Sequence, residues 1–267
     1  MAAAPAPVPA PWRSAFLSHL EDMDLRSFVL STLHPDSPSS PHKLLPRART
    51  VIYRGMWAGL PVNPKNPAPL NPEAFESDLP TFTSDVRMEK IPELSDTAGG
   101  AAEGLSPLAS REGGPVEAVF WMPKAKTQWR IRGRCYILGP DVDSETTAPV
   151  RAALQTHMRS KGHSDASSWS FAREVTAQFG NLSPGMRGTF RNPPPGTPLS
   201  EKPSEGLGLG QKVEDVEDEV ARSNFRVVVI VPEEIDQVLL TEQGRRWNYK
   251  RVGSENVGSW KITELWP

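Results

Sequence analysis

The chain has 267 residues, with 30 Lys and Arg against 32 Asp and Glu and a formal charge of -2, so no overall field draws it toward nucleic acid or an acidic membrane, and any basic site must be local. Its single cysteine, Cys135, excludes an internal disulfide and a thiolate metal cluster, and suits a reducing, cytoplasmic setting. The longest strongly apolar run, Val227 to Val231, falls far short of the ~20 residues of a membrane-spanning helix, so the chain reads as soluble.

The opening "MAAAPAPVPAPW" lacks a basic start and is rich in proline, which predicts a disordered tail over residues 1–11. From Trp12 to Leu33, apolar residues recur at spacings of three and four and predict one amphipathic helix or two short ones. "HPDSPSSPHK" breaks that pattern, because proline removes backbone donors. "RTVIYRGMWAG", residues 49–59, is β-branched and aromatic and reads as a strand ending in a turn. The proline-rich stretch at 61–72 predicts an exposed loop, and residues 96–114 a flexible insertion.

"VEAVFWMP" (116–123) and "TQWRIRGRCYIL" (127–138) are strands close enough to form an antiparallel hairpin. Two helical windows follow, "APVRAALQTHMRS" and "SSWSFAREVTAQF". Residues 191–221 are polar and rich in proline and glycine, and read as a mobile insertion. "NFRVVVIVP", "IDQVLLTE", "RRWNYKRV" and "GSWKITEL" predict four consecutive strands. Strands dominate both halves without regular β-α-β alternation, so the expected fold is mainly β: a closed or partly closed antiparallel barrel with flanking helices.

The stretch "TFTSDVRMEK", residues 81–90, passes from strand to helix with hydroxyls and cations at the junction. Thr83 and Ser84 offer hydroxyl donors, Arg87 and Lys90 offer charge, and Asp85 is placed to cap the helix, an arrangement suited to a phosphate. The competing reading is a solvated turn with surface cations. Arg49 and Arg54 bracket the strand "RTVIYR", and Gln128, Arg130, Arg132 and Arg134 share one face of the later strand by its period of two. The five histidines never approach metal-ligand spacing, so no metal site is expected, and "GLGLG" follows no strand and reads as linker. Cys135, in an apolar strand, reads as core.

Several of these segments together resemble the pyridoxamine 5'-phosphate oxidase-like FMN-binding split barrels, in a divergent branch with long insertions. "RTVIYRG" resembles the family's Arg-x-Val-x-x-Lys/Arg strand, and "FTSDVRMEK" its Thr-Asp-x-Arg-Ser-x-Lys phosphate segment. "VEAVFWMPKAKTQWRIRGRCYIL" is similar to its Gln-Phe-Arg-Ile-x-Gly hairpin, and "GRRWNYKR" and "SWKITELWP" to its terminal strands. The resemblance implies one split-barrel domain over residues 12–267, six-stranded, antiparallel and Greek-key-like, forming a homodimer with FMN at the interface. It also implies an FMN-dependent oxidoreductase whose flavin N5 accepts a hydride, with a phosphorylated B6 vitamer as substrate. The alternative is an FMN-binding module for storage or sensing, without turnover.

Carried over by position, the resemblance implies that Arg49 and Lys90 bind the FMN phosphate, with Thr83, Ser84 and Arg87 beside it. It implies that Arg54 approaches the pyrimidine side of the flavin, that Gln128 hydrogen-bonds the ring, and that Arg246 comes from the partner subunit. Met88 stands where the branch has serine, and "QGRRW" where the family has Arg-x-His before its terminal arginine. The Tyr, Arg and Ser that clamp substrate phosphate in the oxidases have no counterpart here.

Overall fold

The computed structural model describes residues 8–36, 43–96, 109–162, 165–253 and 259–267. In chain order the elements are α1 (Arg13–Glu21), β1 (Ser27–Pro35), β2 (Leu44–Met56), β3 (Phe75–Ser77), β4 (Pro80–Asp85), α2 (Lys90–Asp96), β5 (Arg111–Met122) and β6 (Thr127–Leu138). There follow α3 (Ala148–Gln155), β7 (Met158–Ser160), α4 (Phe171–Gly180), α5 (Pro184–Gly188), α6 (Glu219–Asn224), β8 (Phe225–Leu239), β9 (Arg245–Arg251) and β10 (Trp260–Leu265).

The main sheet runs β10-β9-β8-β4-β2-β1-β5-β6, and β6 pairs again with β8. That second pairing closes a barrel of six antiparallel strands, β8-β4-β2-β1-β5-β6, from which β9 and β10 extend as a flap. Closure removes two sheet edges and fixes an inside and an outside by the period of two. Phe28, Leu30, Val51, Tyr53, Phe82, Ala118, Phe120, Trp129, Ile131, Val228 and Ile230 fill the inside. Helix α1 plugs one mouth: Phe16 meets Tyr53, Phe120 and Trp129 edge-on, with ring centroids 5.0 to 6.4 Å apart. Offset or edge-on aromatic contacts of this kind add roughly 0.5–1.5 kcal/mol each beyond burial.

A second core lies outside the barrel. Phe225, Val227, Val229 and Val231 of β8 face outward beneath Leu154, Phe171, Val175, Phe179 and Phe190, which explains why the first half of β8 is apolar on both faces.

Several sequence expectations change here. Trp12 to Leu33 is a helix followed by a strand, because after Asp22 the pattern switches to alternation, with Phe28 and Leu30 inside and Val29 outside at 39% exposure. The apolar Val29 on the wet face disguises that period of two as helical spacing. The first two of the four expected C-terminal strands are one continuous strand, β8. Pro232 sits inside it opposite Gly133, next to a register shift that leaves Glu233 of β8 as the extra residue, and a bulge is where a strand tolerates proline. A side chain at Gly133 would come within 2.0 Å of the Val231 carbonyl oxygen, so only glycine fits.

Helix α3 takes the first eight residues of the window "APVRAALQTHMRS", and its last three form β7, paired with β3. Ala10, within the expected tail, is buried and donates its N–H to Asp78 at 2.8 Å, while residues 1–7 lie outside the described residues. Of the expected insertion at 96–114, residues 97–108 lie outside the described residues, and Arg111 onward extends β5. The 61–72 loop is docked on α4, with Asn66 donating to the Ala177 carbonyl and Asn71 to the Ser170 carbonyl, each at 3.0 Å.

Candidate flavin site

A cavity of about 800 Å3 lies against the outer face of β2 and the end of β4. Small-molecule cavities commonly measure roughly 300–1,000 Å3. Its floor is barrel: Thr50, Ile52 and Arg54 of β2, then Thr83, Ser84, Met88 and Lys90. Its roof is the 182–209 segment, including Leu182, Phe190, Pro193, Pro194, Leu199 and Leu209. The floor follows from parity, because Tyr53 and Phe82 pair across β2 and β4 and point inward, which turns Arg54 and Thr83 outward together.

Two cations in this cavity have no carboxylate within salt-bridge distance among the described residues. Arg54 donates from Nε to Thr83 Oγ1 at 3.3 Å, and Lys90 Nζ meets Met88 Sδ at 2.8 Å and Ser84 Oγ at 3.3 Å. Burial lowers the pKa of both, and for Lys90 the Arg49 guanidinium pushes in the same direction, against weaker pulls from Asp85 and Glu93. Desolvated cations served by hydroxyl and thioether partners leave an unmet demand for an anion.

The other arginines are engaged. Arg49 points to the barrel end, where it ion-pairs with the buried Glu93 of α2 and donates to Thr32. It lies close enough to Lys90 to depress its pKa, but does not line the cavity. Arg87 forms a two-pronged pair with Asp85, Nε to Oδ1 at 2.9 Å and Nη2 to Oδ2 at 2.6 Å. Its guanidinium also donates to the carbonyls of Asn192 (2.9 Å) and Phe190 (3.2 Å), so it ties the roof to the end of β4.

Helix α2 starts only at Lys90; Asp85 accepts from the Arg87 N–H at 2.8 Å and shapes the turn before it, in place of the helix cap expected there. Ser84 is buried at 4% exposure and Thr83 is half-buried, so the two hydroxyls reach the cavity from one strand end.

Gln128 and Arg246 are not at this cavity on the same chain. Both pair in register with Val238, one from each side, so they share a row on the outer face of β6, β8 and β9. Gln128 accepts from Arg130 Nε at 2.7 Å, and Arg246 is held by the buried Asp236 through Nη2 at 3.0 Å. Asp236 is kept acidic: burial opposes its charge, and Arg246, Asn248 and Arg132 together outweigh it. Cys135 is fully buried and its thiol is pushed up to about 12 by burial, as a core residue should be. No group of three metal-ligating side chains occurs among the described residues, and no helix among them is long and apolar enough to cross a membrane.

The roof residues escape sequence reasoning, whereas Met88 stands out as the departure from serine in the phosphate segment. Thr50 and Ile52 were within reach of such reasoning, since the alternation in "RTVIYR" places them beside Arg54; the 182–209 segment has no period to betray which residues turn inward.

A closed six-stranded antiparallel barrel of this kind, flanked by helices, is the split-barrel fold. Residues 9–139 match the family model described as pyridoxamine 5'-phosphate oxidase, FMN-binding domain, a family whose cofactor is FMN. Among solved structures, a pyridoxamine 5'-phosphate oxidase-related, FMN binding protein from Nostoc punctiforme is 18% identical, matches over 97% of this chain and 100% of that one, and superposes with a TM-score of 0.57. PhzG from Burkholderia lata, solved in complex with tetrahydrophenazine-1-carboxylic acid, is 13% identical over 98% of this chain and 94% of that one, with a TM-score of 0.43. No curated protein matches the chain. The likeness to the Nostoc protein is one of fold. The family match ends with β6, so Arg246 lies beyond it.

Proposed function

We propose that this protein is an FMN-dependent oxidoreductase whose flavin phosphate is held by Lys90, Ser84, Thr83 and Arg54. The observation that carries the reading is the pair of desolvated cations, Arg54 and Lys90, facing one cavity without a carboxylate partner among the described residues. A phosphate dianion would supply both missing charges, through charge-assisted bonds worth roughly 1.5–3 kcal/mol each. Arg49 contributes from behind, by pairing with Glu93 and so neutralising a carboxylate that would otherwise repel the anion. Arg87 acts as a positioning residue that holds the roof in place.

When bound, FMN supplies a two-electron carrier whose N5 accepts a hydride from the substrate. The apolar side chains of the roof, Leu182, Phe190, Leu199 and Leu209 among them, would keep water from the ring. The substrate of this reading is a small planar molecule, with pyridoxamine or pyridoxine 5'-phosphate as the first to test.

The same reading includes a homodimer. The cavity floor continues across the barrel surface: Thr50 pairs with Val29, Val29 with Val119 and Trp121 with Gln128, all on the outer face. Val29 and Trp121 are 39% and 46% exposed there. A two-fold contact through this face would carry Gln128 and Arg246 of each subunit toward the cavity of the other. Met88 favours a second reading, a flavin-binding module without turnover, because its thioether occupies the approach to Lys90.

The test is a flavin absorbance spectrum of the protein as purified, followed by oxygen uptake with pyridoxamine 5'-phosphate. A yellow protein with uptake supports the oxidoreductase, and a yellow protein inert toward a panel of planar amines and alcohols supports the module. Colourless protein that ignores added FMN overturns both.

A further inference from the structure

A smaller cavity, about 190 Å3, lies at the barrel mouth plugged by α1, away from the flavin site. Tyr53 of β2 lines it. Its ring sits inside the mouth, edge-on to Phe16 and Phe120 at centroid distances of 6.4 and 6.2 Å. The residue is only 7% exposed, yet its hydroxyl has no hydrogen-bond partner among the described residues. Burial raises the pKa of the phenol, against a weaker pull from the Arg13 and Arg26 guanidiniums, so at neutral pH the hydroxyl is protonated and free to donate.

The two arginines differ. Arg13 is neutralised by Asp78, to which its Nη1 donates at 2.8 Å. Arg26 has no carboxylate within salt-bridge distance among the described residues; its Nε donates to the Leu20 carbonyl at 3.2 Å, and its two Nη groups are unengaged there. The Tyr53 N–H donates to the Arg26 carbonyl at 2.8 Å, so guanidinium and hydroxyl start from paired backbone. Glu21, exposed at the rim, is also without an ion pair among the described residues. Leu17, Leu20 and Met56 supply an apolar wall, and Pro61 closes one side. Pro61 comes that near because Gly55, at a positive φ of 120°, has no side chain: a Cβ there would lie 2.5 Å from Pro61 Cδ.

A cation, a hydroxyl donor, a carboxylate and an apolar wall in one small cavity match one class of ligand. A phosphate would meet Arg26 but be repelled by Glu21, and a plain amine would leave Arg26 and the Tyr53 hydroxyl with nothing to donate to. We propose that this cavity binds a small apolar α-amino acid, with its carboxylate on Arg26 and the Tyr53 hydroxyl, its ammonium toward Glu21 and its side chain against Leu17 and Met56. The site shares no lining residue with the flavin cavity and stands or falls independently of the oxidoreductase reading.

The experiment is calorimetric titration of the protein as purified, at neutral pH, with L-valine, with isovalerate, which lacks the ammonium, and with isobutylamine, which lacks the carboxylate. Saturable one-to-one binding of L-valine is expected, at least about threefold tighter than isovalerate and about tenfold tighter than isobutylamine. Tyr53→Phe keeps the ring and removes a hydroxyl that the fold does not use, and it should weaken valine binding about tenfold. Glu21→Gln, at an exposed position where folding is not at stake, should erase the preference for valine over isovalerate. Absence of saturable valine binding, isovalerate binding as tightly as valine, or an unchanged valine affinity in Tyr53→Phe overturns the proposal.

Discussion

At the scale of single residues, the difference between Lys90 and its cationic neighbours decides the site. Arg49, Arg87 and Arg246 each satisfy a carboxylate within the fold, whereas Lys90 meets a hydroxyl and a sulfur. Replacing Lys90 by Ala should therefore weaken FMN binding at least tenfold, measured by fluorescence quenching of the titrated flavin, with little change in thermal stability, since the fold loses no ion pair.

The same residue sets a pH dependence. Burial and Arg49 hold Lys90 below the ordinary lysine value of 10.5 in the flavin-free protein, and a bound phosphate would raise it again. Binding then takes up a proton between those two values, so FMN affinity should fall as pH rises through the lower one, and it should begin to fall below pH 10.5. Titrations over an alkaline series check this, and Lys90→Ala should lack that limb.

Elements explain which parts of the molecule could be read from the chain and which could not. The β5-β6 hairpin was legible because its alternation is clean and its turn is short. The strand that ends at Asp85 was legible too, as the first half of a stretch that passes from strand to helix. Strand β1 was hidden by an apolar residue on its wet face, and β8 by a proline that ordinarily ends a strand. The bulge at Gly133 resolves that proline, because it removes a ladder bond where Pro232 cannot donate. Gly133→Ala should then destabilise the fold by about 2–3 kcal/mol, as overpacking against backbone that cannot yield. Urea denaturation followed by tryptophan fluorescence reads this as a lower midpoint with an unchanged slope.

For the molecule as a whole, the barrel places the cavity and the Gln128–Arg246 row on one continuous outer surface. The cavity sits at β2 and β4, and the Gln128–Arg246 row sits across β6, β8 and β9, with Val29, Val119 and Trp121 between them. No sequence pattern shows that the two are apart on one chain, because the distance depends on how the sheet closes. Trp121→Glu should disrupt the proposed dimer, which light scattering after size exclusion would report as a halved mass. If Gln128 and Arg246 act across the interface, flavin affinity should drop in the same variant. A Trp121→Glu protein of unchanged mass and unchanged flavin affinity would count against the shared site.

The cavity's two walls differ in kind. Below is hydrogen-bonded barrel, which does not deform on ligand exchange; above is an irregular, proline-rich segment fastened at one corner by the Arg87 guanidinium. Substitutions below would change how tightly a guest is held, and substitutions above would change how long it stays. Lengthening or trimming that upper segment is accordingly the natural way to alter the exchange of a bound guest while leaving the barrel intact.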